Sequence, residues 1–215
     1  MTEKENNKLW NDYFYPNTEV LINKFDERNA DNLKKLEATY SFKRLLELRE
    51  NPLDLGCGKK HLNAIHKYVF SDIYPFAGQY RKVNMRKAKG TFLFINDQDT
   101  MDKKLDELFL NIENRINNCQ SKMDFCEIMA SLYTSLIYLH PYREGNGRTC
   151  REFLREFSLQ KSSELNFGKL ELDWSKINPN ELNQYIELSH LFPSSTAVLF
   201  LNSLVDVEET KKHHV

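Results

Sequence analysis

The chain has 215 residues, of which 40% are hydrophobic and 28% charged, and its formal net charge is −1. That length suits one domain with a real core, expected to run over 1–215. Near-neutral charge gives no bulk attraction to nucleic acid or to an anionic membrane, and no apolar run approaches the ~18–20 residues of a membrane span, so a soluble cytoplasmic protein with neither partner is expected.

The start, Met1 to Asn7, is charged rather than apolar, unlike a secretory leader. Gly and Pro are scarce, at seven and six residues, and long segments carry helical periodicity. One region reads as strand: period-two alternation in Tyr80–Arg86 and Thr91–Phe94 flanks Lys87-Ala88-Lys89-Gly90, which predicts a small hairpin. Its basic run, Arg81, Lys82, Arg86, Lys87 and Lys89, protects an exposed sheet edge or marks an edge onto which an extended target segment adds.

A helix follows from Met101, with a stripe at Leu105, Leu108, Phe109, Ile112 and Ile116 and Asp97 or Asp99 placed to cap it. A second is expected to be capped by Asp124, its stripe running through Phe125, Ile128, Met129, Leu132, Leu136 and Leu139 to end beside His140. A third carries Cys150, Phe153, Leu154 and Phe157, while Arg148, Arg151 and Arg155 fall on another face, expected to line a cleft. The tail from Leu165 to Leu204 returns to helical patterning, with Tyr185 and Leu188 read as core, and Asp206–Val215 is expected to fray. Of the four cysteines, Cys57, Cys119, Cys126 and Cys150, none shows paired metal spacing, and Cys126 and Cys150 read as buried thiols. The pattern is mainly α: a helical bundle with one β-hairpin.

The chemistry concentrates in His140-Pro141-Tyr142-Arg143-Glu144-Gly145-Asn146-Gly147-Arg148-Thr149-Cys150-Arg151. A glycine-rich turn opening a helix leaves backbone N–H groups unpaired, and these bind anions. Arginines at i and i+3 grip further phosphate oxygens. A carboxylate beside phosphates suits Mg²⁺, which takes one or two carboxylates plus substrate oxygens. A histidine nearby is the usual group to accept a hydroxyl proton. The other histidines, His61, His66, His190, His213 and His214, keep a structural or surface reading. No P-loop or kinase catalytic-loop pattern is present, so phosphate handling falls to residues 144–151.

These twelve residues resemble the Fic signature, His-Pro-Phe-x-(Asp/Glu)-Gly-Asn-Gly-Arg-x-x-Arg, with Tyr142 in place of Phe. The stretch from His61 to Arg81, including Phe70-Ser71-Asp72-Ile73-Tyr74-Pro75-Phe76-Ala77-Gly78-Gln79-Tyr80-Arg81, looks like the family's helix and approach to its flap. Tyr15-Pro16-Asn17-Thr18 and Leu45–Leu48 are similar to stand-alone bacterial Fic toxins and to Fic domains of secreted effectors. The resemblance is strongest over about 61–157.

The resemblance implies a Fic-type bundle with a hairpin flap and a protein adenylyltransferase that moves AMP from ATP to a Ser, Thr or Tyr hydroxyl of a target protein. It gives His140 the role of base, and Glu144 that of Mg²⁺ or Mn²⁺ ligand. Gly145, Asn146 and Gly147 make the anion hole; Arg148 and Arg151 hold the nucleotide phosphates, Arg151 the γ-phosphate. Lys89, Gly90, Thr91 and Phe92 belong to the flap on which the target docks. Two rivals are a Doc-like phosphotransferase, which carries lysine where Gly147 stands here, and a nucleotide-binding module without turnover.

Many Fic proteins are silenced by a helix bearing (Ser/Thr)-x-x-x-Glu-(Gly/Asn), whose glutamate pairs with the second motif arginine. Here Glu5-Asn6, Glu50-Asn51 and Glu113-Asn114 follow Met1, Leu46 and Phe109 four positions back, so none completes the motif. Without such a brake, unless a degenerate one lies in the Leu36–Glu50 helix, inhibition is expected from a small antitoxin-like partner that supplies a glutamate to Arg151.

Overall fold

The helices begin where the sequence offers caps. In the computed structural model, which describes residues 2–53, 55–85, 98–189 and 194–208 apart from the side chains of 98 and 99, Thr2 and Glu5 form a capping box at the head of α1 (Glu3–Asn11). Asn29 caps α2 (Ala30–Glu50) by accepting the amides of Asp31 and Asn32. Then come α3 (Lys59–Phe70), α4 (Gln98–Ile116), α5 (Lys122–Leu139) and α6 (Asn146–Glu164). Strand β1 (Leu170–Leu172), helices α7 (Pro179–Glu187) and α8 (Ser195–Ser203), and strand β2 (Leu204–Asp206) complete the order. Asn178 caps α7, whose first residue is Pro179, a position that lacks an N–H partner in any case. The fold is mostly helical, as expected.

By contacts the chain divides into two compact units, Met1–Leu105 with Tyr138–Thr149, and Asp106–Ile137 with Cys150–Val215. In the first, α2 packs on α3. The buried stripe of α3 is His61, Leu62, Ile65, His66, Val69 and Phe70; Leu48, Ile73, Tyr74, Val83 and Tyr142 join it in the core. Each fully buried side chain of this size contributes about 1.5–3 kcal/mol.

In the second unit Phe125, Met129, Leu132, Cys150, Phe153 and Leu154 are fully buried, as the two apolar stripes predicted. Burial pushes the thiols of Cys126 and Cys150 up to about 12. β1 pairs antiparallel with β2, Leu170 opposite Asp206 and Leu172 opposite Leu204. The outward amides of β1 are not left bare: Leu170 and Leu172 donate to Ser162 Oγ and Ser158 Oγ, both at 2.9 Å. These serines stand one turn apart on α6 and seal the strand edge.

Several local expectations are corrected. The two-stranded sheet described here is at 170–206; residues 80–85 form no strand, and 86–97 lie outside the described residues. Asp124 is not the N-cap of α5 but the third helical residue of a capping box, accepting the amides of Gln120 and Ser121 while its own amide donates to Ser121 Oγ. Asp99 lies inside α4, and Asp97 is outside the described residues. Arg155 lines no cleft: it is 3% exposed and paired with Glu152 at 2.6 Å and Glu171 at 3.3 Å. In α7 the core residues are Leu182 and Ile186, whereas Leu188 is exposed and Tyr185 is half-buried and donates to Glu181. No described helix is long and apolar enough to cross a membrane.

Candidate active site

The site-forming loop, 140–145, follows α5 and runs into α6 within the first unit. His140 sits at its start with φ of 46°, a left-handed conformation that costs a non-glycine residue about 1–2 kcal/mol. It persists because Arg81 holds the backbone around it. The side chain of Arg81 donates to the carbonyls of His140 at 2.7 Å and Leu139 at 3.2 Å, and to that of Val83. Its own amide donates to Pro141 O at 2.9 Å. Arg81 is 1% exposed, and burial lowers its guanidinium to about 10, so it stays cationic at neutral pH. A residue read as part of an exposed basic edge is thus a buried clamp on carbonyls at a helix C-terminus, where the backbone carries partial negative charge.

A second support comes from His66. Its ring is fully buried and stacks on Tyr142 with centroids 3.8 Å apart. Nδ1 accepts the amide of Gly78 at 2.8 Å, so the proton of the neutral ring is on Nε2, which donates to Glu144 O at 3.0 Å. Burial holds this imidazole down to about 4. Gly78 has φ of 76°, and a Cβ there would lie 2.8 Å from that of Lys67, so only glycine gives His66 its amide donor.

The turn itself is stapled from within. The Asn146 amide group accepts the Tyr142 N–H at 2.8 Å and donates to Tyr142 O at 2.7 Å; at 2% exposure this side chain shapes the loop. The Tyr142 hydroxyl donates to Asn63 Oδ1. Gly145 has φ of 79°, and a Cβ would drive into the ring of Phe70. Thr149 is the first residue whose amide enters the ladder of α6, donating to Gly145 O at 3.0 Å. Asn146, Gly147 and Arg148 are therefore the open first turn, the part of a helix that attracts anions.

Around this turn stand the charged groups. The Glu144 carboxylate is 41% exposed, and its Oε1 accepts the amide of Gly145 at 2.9 Å. Arg148 lies over Phe70, 4.8 Å from the ring centroid, and donates to Ser41 Oγ at 3.0 Å and to Glu37. Arg143 is 7% exposed and packed against Trp10, Phe14 and Tyr13 at 4.2, 5.1 and 5.6 Å; it supports the loop from behind. Arg151 belongs to the second unit. Arg151 is exposed, its carbonyl accepts Trp174 Nε1 at 2.9 Å, and its guanidinium lies beside the Tyr133 hydroxyl. Lys89, Gly90, Thr91 and Phe92 lie outside the described residues.

No group of three or more His, Cys, Asp or Glu gathers among the described residues. A cation here has Glu144 alone from the loop, which fits Mg²⁺ completing its shell with ligand oxygens and water. Sequence reasoning missed Glu37, which reaches Arg148 from 111 positions away, and the supports Arg81, His66 and Asn63. No local pattern signals such contacts.

The description Fic/DOC family matches residues 53–158. The chain is 26% identical over 172 residues to the protein adenylyltransferase VbhT of Bartonella schoenbuchensis, covering 80% of this chain and 34% of the relative. It is 29% identical to the probable protein adenylyltransferase y4lH of Sinorhizobium fredii, covering 73% of this chain and 80% of that one, and 26% identical to the probable protein adenylyltransferase Fic of Escherichia coli, covering 77% and 82%. The chain thus spans about a third of the first relative and about four-fifths of the other two. Among solved structures, the N-terminal Fic domain of a Bartonella quintana effector with bound ADP superposes with a TM-score of 0.79 at 22% identity, covering 91% of this chain and 95% of that one. BepC of Bartonella tribocorum with bound AMPPNP gives 0.75 at 21% identity, covering 91% and 97%. The matched segment 53–158 contains α3, the turn at Gly78, the Arg81 clamp and the whole loop from His140 to Arg151, and over it this chain carries a Fic/DOC family domain.

Proposed function

We propose that this protein is a protein adenylyltransferase that moves AMP from ATP to a Ser, Thr or Tyr hydroxyl of another protein and releases pyrophosphate. The observation that carries the reading is the open first turn of α6 at Asn146–Arg148, which follows the pinned His140 and the exposed Glu144 carboxylate in one short loop. One similar relative is named a protein adenylyltransferase and two a probable one, and similar folds hold ADP or AMPPNP.

In this reading His140 takes the proton from the target hydroxyl, and the freed oxygen attacks the α-phosphorus in line. The open amides of Asn146 and Gly147, joined by that of Gly145 once Glu144 turns to the metal, face the charge that develops there. Arg148 stabilises the departing phosphates and Arg151 takes the γ-phosphate. Glu144 holds Mg²⁺ or Mn²⁺, which when bound offsets negative charge on the phosphate oxygens. Residues 89–92 dock the target. Positioning and electrostatics carry such transfers, so loss of one member costs orders of magnitude in rate. Gly147, in place of the lysine of Doc kinases, favours nucleotidyl over phosphoryl transfer.

The protein acts in the cytoplasm, and its restraint comes from a small antitoxin-like partner that brings a glutamate to Arg151. Support for this is the exposure of Arg151, which leaves its guanidinium within reach of a partner's carboxylate. The test incubates the purified chain with a cell lysate and ATP tagged on the adenine. An AMP adduct that disappears with His140→Ala and with EDTA is expected. A phosphate adduct, or labelling undiminished in the His140→Ala variant, overturns the reading.

A further inference from the structure

Arg148 stands between two carboxylates and bonds to one. Its Nη2 donates to Glu37 of α2 and lies 3.8 Å from Glu144 Oε1. Its Nη1 donates at 3.0 Å to the hydroxyl of Ser41, one turn further along α2, and its plane covers the Phe70 ring. Glu37 is itself held, since its second oxygen accepts the Tyr74 hydroxyl, and Tyr74 is 2% exposed. The Glu37 side chain is 16% exposed and that of Glu144 41%.

The charges decide what this arrangement does. One guanidinium faces two carboxylates, so one negative charge is left over, and it stays on Glu144, the more exposed of the two. Glu144 in the loop and Arg148 in the first turn of α6 already lie within ion-pair reach of each other. With nothing else to bond, Arg148 would close the 3.8 Å gap and neutralise Glu144. We infer that Glu37 is a positioning residue that holds Arg148 away from Glu144, so that the Glu144 carboxylate remains free to bind a divalent cation. This rests on the reading of Glu144 as the metal ligand.

The test is Mn²⁺ binding to the full chain in the presence of the α,β-methylene analogue of ATP, followed by electron paramagnetic resonance. Glu37→Ala should weaken Mn²⁺ binding on the order of tenfold, the scale of one nearby charge lost at a partly exposed site, and Glu37→Gln, which keeps a bonding group of the same size, should weaken it less. In an Arg148→Ala background, adding Glu37→Ala should change the affinity by less than about twofold, because the competitor for Glu144 is already gone. Equal Mn²⁺ binding by Glu37→Ala and the parent, or an equal loss with and without Arg148, overturns the inference. Glu144→Gln separates the two readings. If it binds Mn²⁺ as the parent does, the metal assignment fails and this inference with it. If it loses Mn²⁺ while Glu37→Ala does not, only the inference fails.

Discussion

The guanidinium of Arg81 fixes the carbonyl of His140 at 2.7 Å, and through it a backbone conformation that the residue would not adopt unaided. The proposed base is held by its main chain before any substrate arrives. Arg81→Met should therefore remove more than packing. It leaves the carbonyls of Leu139, His140 and Val83 without this donor, at a cost of about 3 kcal/mol or more. Denaturant unfolding measures the loss, and transfer should fall by orders of magnitude even at temperatures where the variant stays folded.

The strain at His140 makes two inactive variants separable. His140→Gly relieves the left-handed conformation and should be about 1 kcal/mol more stable than His140→Ala, while both lose transfer. Equal midpoints in urea would show that the clamp, not the residue type, carries the whole cost.

His66 gives a pH signature. Its folded-state value is about 4 against 6.5 for the free side chain, so the unfolded chain binds a proton that the folded one refuses. Stability from this group is complete above pH 6.5 and is lost as pH falls toward 4, by up to about 3 kcal/mol. Unfolding free energies measured between pH 7 and pH 4 should show that slope, and His66→Gln should flatten it.

Tyr142→Phe restores the family's residue but leaves Asn63 Oδ1 without the hydroxyl it accepts. A loss of about 1 kcal/mol is expected, with nucleotide affinity by calorimetry nearly unchanged, since the hydroxyl points to α3 and not to the open amides. Asn63→Leu should cost more, because the Asn63 amide also donates to the buried Tyr80 hydroxyl at 2.9 Å.

Gly145→Ala fails twice, once on backbone and once on the Phe70 ring, for about 2–4 kcal/mol. Phe70→Leu should return only the steric part. Thermal midpoints of the two single variants and the double variant separate the shares.

Period and spacing exposed what is local. The stripes of α4 and α5 and the turn at 144–148 could be read because each is written within a few consecutive residues. The sheet between β1 and β2 could not, because three-residue strands carry too little alternation, and the serines that seal β1 look like ordinary helix surface. Arg155 and Arg81 were misread for one reason: a cation with distant or backbone partners has the same sequence signature as a solvated one. Leu188 failed in the opposite sense, as an apolar residue that the fold leaves outside. The loop's chemistry was legible; Glu37, Arg81 and His66, which hold it in shape, come from other parts of the chain.

The cage around Arg143 gives the protein a built-in optical probe. Trp10 touches that guanidinium at 4.2 Å, next in sequence to Glu144, and the chain has only one other tryptophan, Trp174. Trp174 sits against Tyr133 and Phe200, so each compact unit carries a single indole. Replacing one at a time makes the emission of the other a separate report on its own unit, and the Trp10 signal follows the loop without any attached dye.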